Sequence, residues 1–435
     1  MRKRLALVLV ALVAAGTFVW ANGQKEAAGS SGPGKISVMF QGTGPERDAL
    51  SGVIARFEKQ TGVQVEPRYT PHDVYYEKVS AAVAGKNLPD VMEMDAPFLA
   101  NFVWSGYLAP AADYVDKSVI SDMTPSSIAQ CTYPLDNKLY AIGPTDSTVL
   151  LYGNRDYLKK IGARIPTSVS QAWTKDEFDT ILQKLSQIPG VKWPLDLFRN
   201  YGVKTEWSTY AFQPIFESFG GGFINTKTWK AEGTLDSPES VAAATEMQKW
   251  VKNGWVVPSS AGTNSLYRPD HLAGLAWGGN WYWGEAHPAM GDNLVALPLP
   301  NFGHGVKTPN GTWIWGITKT SKDKADAGKY LSFMVTDQKW RSDLQKTAAY
   351  PGLKSWAANY PLYSDPSQMK IAFEQSNFAV PRPKFPGYPT LTSSVQEAID
   401  NIFNGADPKT ELTKAAKAVD QDISDHNGYP PFASK

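Results

Sequence analysis

The first patterned stretch of the chain constrains the fold most. Lys35-Ile36-Ser37-Val38-Met39-Phe40 places Ile36, Val38 and Phe40 at alternate positions, the period of a strand with one buried face. Gln41-Gly42-Thr43-Gly44-Pro45 breaks it. Leu50, Val53, Ile54 and Phe57 then recur on one helical face, Gly62 stops the helix, and Val63-Gln64-Val65 resumes a strand. Strand, helix and strand at this spacing make a βαβ unit, and the class is α/β.

The pattern continues. A helix is expected from about Tyr75 to Ala84, a turn at Gly85, and a short buried strand at Asp90-Val91-Met92-Glu93-Met94. Near residue 145 the character changes, because Tyr140-Ala141-Ile142-Gly143-Pro144 leads into the extended run Ser147-Thr148-Val149-Leu150-Leu151. This reads as a crossing from one lobe to another. The middle third is helical and aromatic. Ser237 as N-cap and Pro238 at the first helical position begin a helix that Gly254 ends. Leu294-Val295-Ala296-Leu297 and Trp313-Ile314-Trp315-Gly316-Ile317 read as strands. Three amphipathic helices follow, built on Ala327, Tyr330, Leu331 and Met334, on Leu391, Val395, Ala398 and Ile402, and on Leu412, Ala416, Val419 and Ile423.

At the N-terminus Arg2, Lys3 and Arg4 precede an apolar run over residues 5–19, and Val19-Trp20-Ala21 supplies small residues where a signal peptidase needs them. Cleavage is expected after Ala21. The run is shorter than the roughly 20 residues of a spanning helix, and no later stretch reaches that length, so the mature chain is not expected to insert in a membrane. A lipid anchor would need a cysteine after the cut, where Asn22 stands. Residues 22–34 read as a flexible leader. The only cysteine, Cys131, is expected to be a buried small hydrophobe, which leaves packing rather than disulfides to hold the fold.

Removing the signal takes three positive charges from a formal net of +1, with no basic stripe or tail left behind. Nucleic-acid binding, which rests on clustered Lys and Arg, is not expected. At 435 residues the chain is too long for one core and suits two large lobes.

Gly278-Gly279-Asn280-Trp281-Tyr282-Trp283 sets three large rings in a row after two glycines. Glycine lets a backbone approach a bound object, and flat rings offer apolar faces to the apolar face of a sugar. Gly-Gly-Asn reads as a turn leading onto a surface. Catalytic patterns are missing. His72, His271, His287, His304 and His426 lie at no metal-binding spacing, and there is no nucleophile elbow, phosphate loop or dinucleotide fingerprint. A carboxylate pair for glycoside hydrolysis stays open, because 42 Asp and Glu always leave some pair near a ligand.

Four segments in order resemble a known family. They are Leu88-Pro89-Asp90-Val91 with Ser105-Gly106-Tyr107-Leu108-Ala109-Pro110; Asn137-Lys138-Leu139-Tyr140-Ala141-Ile142-Gly143-Pro144 with Tyr152-Gly153-Asn154-Arg155-Asp156-Tyr157-Leu158; Leu272-Ala273-Gly274-Leu275-Ala276 with Gly279-Asn280-Trp281; and Gly316-Ile317 with Ser321-Lys322 and residues 325–333. The chain resembles the extracellular solute-binding proteins of ABC importers, family 1, in the carbohydrate-binding group similar to maltose-binding protein. Leu275-Ala276 and Tyr152-Gly153-Asn154 depart from the usual family pattern.

The resemblance implies a two-lobed, periplasmic-binding-protein-like (type II) α/β fold with hinge crossings and a ligand cleft between the lobes. Lobe 1 is expected over 35–146 and 311–352, lobe 2 over 147–310 and 353–435. It implies a monomeric periplasmic carrier that passes a mono- or oligosaccharide to a membrane permease by hinge closure, without catalysis, cofactor or metal. Trp281 is the expected sugar platform, with Trp313 second, and Asp95 and Asp146 are expected to accept hydroxyl hydrogens. In similar proteins the first loop meets the ligand, which implicates Gln41 and Glu46. Tyr76 sits like the family's cleft tyrosine, with Tyr75 a competitor, and Arg382 between prolines suits a fixed donor. The alternatives are a glycerol-phosphate or other polyol binder, a secreted carbohydrate-active enzyme, and a structural or adhesive surface protein.

Overall fold

Lys35–Phe40 forms the expected strand, but both of its faces are buried rather than one. It is paired on both edges, and a strand inside such a sheet is covered on both sides. The polar Ser37 is tolerated there because its N–H and its hydroxyl both donate to Asp90, each at 2.8 Å. The computed structural model describes residues 34–430 apart from 43, 200, 202–205, 262–264, 269 and 312. The export segment expected at 1–21 and all of the expected leader but Gly34 lie outside them.

Gln64–Tyr69 and Val91–Asp95 pair with this strand in parallel. The helix Gly44–Thr61 buries Leu50, Val53, Ile54 and Phe57, the face its spacing requires. Across the first sheet the order is Gln64–Tyr69, Lys35–Phe40, Val91–Asp95, Trp313–Thr318 and Leu108–Ala109, and Ala141–Ile142 also pairs with Trp313–Thr318. The late strand Trp313–Thr318 is thus central, antiparallel to its neighbours. The second sheet runs Leu294–Leu297, Val149–Asn154, Ala273–Gly279, Trp193–Asp196. Within it only Trp193–Asp196 and Ala273–Gly279 are parallel.

The crossing expected near residue 147 is present. Thr145–Asp146 pairs with Tyr350–Pro351, and the chain then enters the second sheet as Val149–Asn154. A second passage is the strand Thr308–Asn310, parallel to Ala379–Pro381, which leads back to Trp313–Thr318. Ser237 caps the helix Pro238–Lys252 by accepting from the Ser240 N–H. The helices Tyr388–Phe403 and Pro408–Asp425 bury the expected apolar positions, except that Ile423 stays half-buried. Cys131 is fully buried, and burial pushes its thiol pKa up.

One local expectation is corrected. Gly278 and Gly279 are not a turn; they pair with Leu150 and Val149 and end the strand Ala273–Gly279. The crossing strand supplies the backbone partners that a turn would have left to water. Among the described residues no helix is long and apolar enough to cross a membrane.

Candidate functional site

Side chains two apart on a strand share a face, so Glu93 and Asp95 project together from Val91–Asp95. In the antiparallel register Trp315 lies opposite Glu93 and Trp313 opposite Asp95. All four line one cavity of about 650 Å³, inside the usual range for small-molecule sites of about 300–1,000 Å³. The second sheet and its helices supply a further wall. Asn280 and Trp281 follow the strand Ala273–Gly279, Glu285 lies on the helix Tyr282–Met290, and Trp207 and Tyr210 lie on the helix Trp207–Ser218, with Tyr201 and Glu206 ahead of it.

Of the three consecutive rings only Trp281 lines the cavity; Tyr282 and Trp283 are buried in the core. Trp281 is half-buried and lies near-parallel to Tyr201 and Tyr210, 26° from each, with centroids 6.3 and 6.2 Å away. Gly279 makes this pose possible, since a Cβ there would stand 2.2 Å from the Trp281 ring. Trp313 is half-buried and meets His72 edge-on at 5.5 Å.

Arg382 directly follows Ala379–Pro381 and sits at the cavity floor with its side chain 2% exposed. Its Nη1 donates to Glu206 Oε2 at 2.8 Å and its Nη2 to Asp95 Oδ1 at 3.1 Å. The guanidinium lies 5.0 Å from the centre of the Tyr210 ring, and the Tyr388 hydroxyl donates to the same Glu206 oxygen. Burial works against the guanidinium charge, but Asp95, Tyr388 and Glu206 hold its pKa well above the ordinary value. Burial likewise pushes the Glu206 carboxyl up, against the pull of Arg382.

Asp146 is spent on structure. It accepts from the Ser126 hydroxyl, the Gln130 amide, and the N–H groups of Ser147 and Gly311, so it ties the crossing to the Gly311 loop. Burial raises its pKa and these donors oppose the rise. Gln41 donates its N–H to Glu93 at 3.0 Å and its side-chain oxygen meets His72 at 3.0 Å. Gln41 and Glu46 both line the cavity.

Tyr76 is the one expected site residue outside the lining. It stacks on Phe98 at 4.1 Å and its hydroxyl accepts from the Asp95 N–H at 2.8 Å, which places it behind Asp95 rather than against a ligand. Its competitor Tyr75 is fully buried, donating to the Glu93 carbonyl.

Several lining residues were not anticipated: Glu93, Trp315, Tyr201, Glu206, Trp207, Tyr210, Asn280 and Glu285. Period two from Asp95 and Trp313 signals Glu93 and Trp315. Trp207 and Tyr210 are three apart, the spacing of neighbours on a helix face. Asn280 fastens the crossing, its side-chain oxygen accepting from the Thr148 N–H and its amide donating to the Ala348 carbonyl.

Gly311 lies where Arg382, Tyr210 and Asp146 converge. A Cβ there would stand 2.6 Å from Arg382 Nη2 and 2.7 Å from the Tyr210 ring. Gly311→Ala is expected to destabilise by about 1–3 kcal/mol through overpacking, read from the urea midpoint. An unchanged midpoint would mean that the Arg382 cradle is loose.

The described residues contain no group of three or more His, Cys, Asp or Glu placed to hold a metal. What the cavity offers is ring faces, carboxylate acceptors and an internally neutralised guanidinium.

The family model described as bacterial extracellular solute-binding protein matches residues 52–374. The chain is 21% identical over 429 residues to the maltodextrin-binding protein MdxE of Bacillus subtilis (strain 168), covering 96% of each chain. Its fold is similar to that of the GacH receptor of Streptomyces glaucescens GLA.O, a structure solved unliganded and with acarbose and an acarbose homolog, with a TM-score of 0.77, 22% identity, and 90% of this chain and 99% of that one covered. It is also similar to an ABC substrate-binding protein of Listeria monocytogenes in complex with cycloalternan, at a TM-score of 0.76 and 18% identity, over 90% and 99% of the two chains.

Proposed function

Given that this chain belongs to the bacterial extracellular solute-binding proteins, with their two-lobed α/β fold, we propose that it captures a carbohydrate in the cavity between its two sheets and delivers it to an ABC permease. Lobe 1 comprises 35–146 and 311–352 and lobe 2 comprises 147–310 and 353–435. The ligand closes them by binding the closed arrangement better than the open one. The chain works as an exported, periplasmic monomer after cleavage behind Ala21, without a lipid anchor, and performs no catalysis. N-terminal sequencing of the secreted protein is expected to begin at Asn22.

The observation that carries this reading is Trp281, a half-buried ring in a cavity whose polar lining includes several carboxylates. A ring face receives the apolar face of a pyranose, and carboxylates accept its hydroxyl hydrogens. The sugars bound by similar proteins, maltose and maltotriose among them, support it. An anionic polyol is disfavoured, since Arg382 already serves Asp95 and Glu206.

The test is a thermal-shift screen of residues 22–435 against sugars, sugar phosphates, polyols and amino acids, with a product assay on each hit. Bound ligand at about a hundredfold excess over its dissociation constant adds about 2.7 kcal/mol of stability. A shift with unaltered sugar upholds the carrier. Consumption of the sugar would make the protein an enzyme, and a shift only with phosphorylated or amino-acid ligands would overturn the carbohydrate reading.

A further inference from the structure

The charge lining the cavity does not balance. Among the described residues six carboxyl groups, Glu46, Glu93, Asp95, Asp146, Glu206 and Glu285, line it against the permanent cations Arg382 and Lys346. Arg382 is shared by Asp95 and Glu206, and the Lys346 ammonium lies 2.8 Å from Asp343, which is outside the lining. Asp146 is occupied by its hydroxyl, amide and N–H donors. Glu46 has an interaction of its own, which leaves Glu93 and Glu285. Among the described residues neither forms an ion pair; Glu93 accepts from the Gln41 N–H and Glu285 from the Tyr267 hydroxyl. Glu93 is only 6% exposed and comes from the first sheet, whereas Glu285 is exposed and comes from a helix of the second. Burial, and behind it the charge of Glu46, raises the pKa of both, and all three carboxyl groups line the same cavity.

The rings give an independent indication. Trp281, Tyr201, Tyr210 and Trp207 lie within 6.4 Å of one another in successive centroid contacts, and Trp313 reaches Tyr201 through His72. Aromatic faces attract cations through their quadrupoles. A neutral sugar satisfies the rings but leaves Glu93 and Glu285 without an ionic partner.

We propose that the ligand is a cationic carbohydrate, an amino sugar or a short oligosaccharide containing one, whose ammonium groups face the cavity carboxylates Glu93 and Glu285 while a sugar ring covers Trp281. This rests on the reading of the cavity as a carbohydrate site. Binding is then coupled to protons. Burial holds the Glu93 carboxyl well above the usual range, with the charges of Glu46 and Asp95 adding to the rise, the Gln41 N–H opposing it, and the buried hydroxyls of Tyr75 and Tyr330 also facing it. An arriving ammonium favours the ionised carboxylate, so binding of a cationic ligand expels a proton wherever Glu93 is protonated in the free protein. Binding of a neutral sugar has no such coupling to Glu93.

The experiment is calorimetric titration of the intact mature protein with three trisaccharides: fully de-N-acetylated chitotriose, its N-acetylated counterpart and maltotriose. Spermidine serves as a cation without a sugar ring. At a mildly acidic pH, where its amines are protonated, the de-N-acetylated trimer is expected to bind at least about tenfold tighter than either neutral trimer and to release protons on binding. Glu93→Gln and Glu285→Gln are each expected to cut the preference ratio by about tenfold. Should either variant fold poorly, proton release by the wild-type protein carries the test. A neutral trimer that binds as tightly as the cationic one overturns this proposal and leaves the carbohydrate carrier standing. Binding of spermidine alone, or of none of the trisaccharides, overturns this proposal, while the carrier stands or falls by the sugar screen.

Discussion

Arg382→Gln is expected to cost about 3–5 kcal/mol of stability and to abolish ligand-induced stabilisation. The reason is what stays behind. Asp95 and Glu206 come from different parts of the chain and converge on one guanidinium that is almost wholly shielded from water. A buried pair contributes little net stability when intact, but removing one partner leaves the other charge stranded in a medium that solvates it poorly. Here two carboxylates are stranded. The loss depends on pH with a defined sign. Burial already raises the Glu206 pKa in the presence of Arg382, and without that cation the rise is larger. A carboxyl with a folded-state pKa above its unfolded value stabilises fully below the unfolded value and loses that contribution as the pH rises through the folded one. The deficit of the variant is therefore expected to be largest at neutral pH and to shrink on acidification towards the ordinary glutamate pKa. Urea unfolding at the two extremes measures it. A second change, Glu206→Gln in the same chain, is expected to restore part of the loss. A deficit under about 1 kcal/mol, or one that does not move with pH, would mean that the cluster is hydrated and does not act as a buried clamp.

Trp281→Ala is expected to weaken ligand binding at least about tenfold, or about 1.4 kcal/mol, while cooperative unfolding is kept. The ring is half-buried and flanked by Tyr201 and Tyr210, so its removal opens the cavity wall more than the core. Trp281→Phe retains a face and is expected to keep most of the affinity. Tyr282 is the contrast. It is 2% exposed and packs against Tyr152, Phe198 and Tyr267, so Tyr282→Ala is expected to cost about 3–5 kcal/mol of stability, as large aromatic truncations in cores do. Equal affinities for wild type and Trp281→Ala would remove the platform from the site.

The rings at 281–283 show what the sequence makes legible and what it hides. Trp281, the ring expected from the sequence to face a ligand, does line the cavity; that Tyr282 and Trp283 turn into the core depends on where the strand Ala273–Gly279 ends, and the two glycines disguised that end as a turn. The expected elements of the first βαβ unit appear because local periodicity decides them. The burial of both faces of Lys35–Phe40 was not legible, because a six-residue window does not reveal what covers the sheet. Asp95 and Arg382 were both expected in the cavity, yet their ion pair joins residues 287 positions apart and has no local trace. Glu206 is hidden for a different reason. It precedes the helix Trp207–Ser218 without a side-chain capping bond, and that helix is buried on nearly every side, so neither a cap nor an amphipathic stripe marks it. Asp146 illustrates the opposite case, a carboxylate expected to face a ligand whose acceptors the hinge already uses.

The placement of Trp313–Thr318 in the middle of the first sheet also bears on how the molecule assembles. The strand Val91–Asp95 emerges from synthesis with one edge open, and its partner on that edge is made only after the entire second sheet. Until then its backbone donors and acceptors are a template for any passing strand. Non-local pairing of this kind is slow, because a long loop must close before the contact forms. The first sheet is consequently incomplete until residue 318 has been made, after every strand of the second. A truncation before residue 313 would not yield a smaller working lobe but an interrupted sheet prone to aggregate.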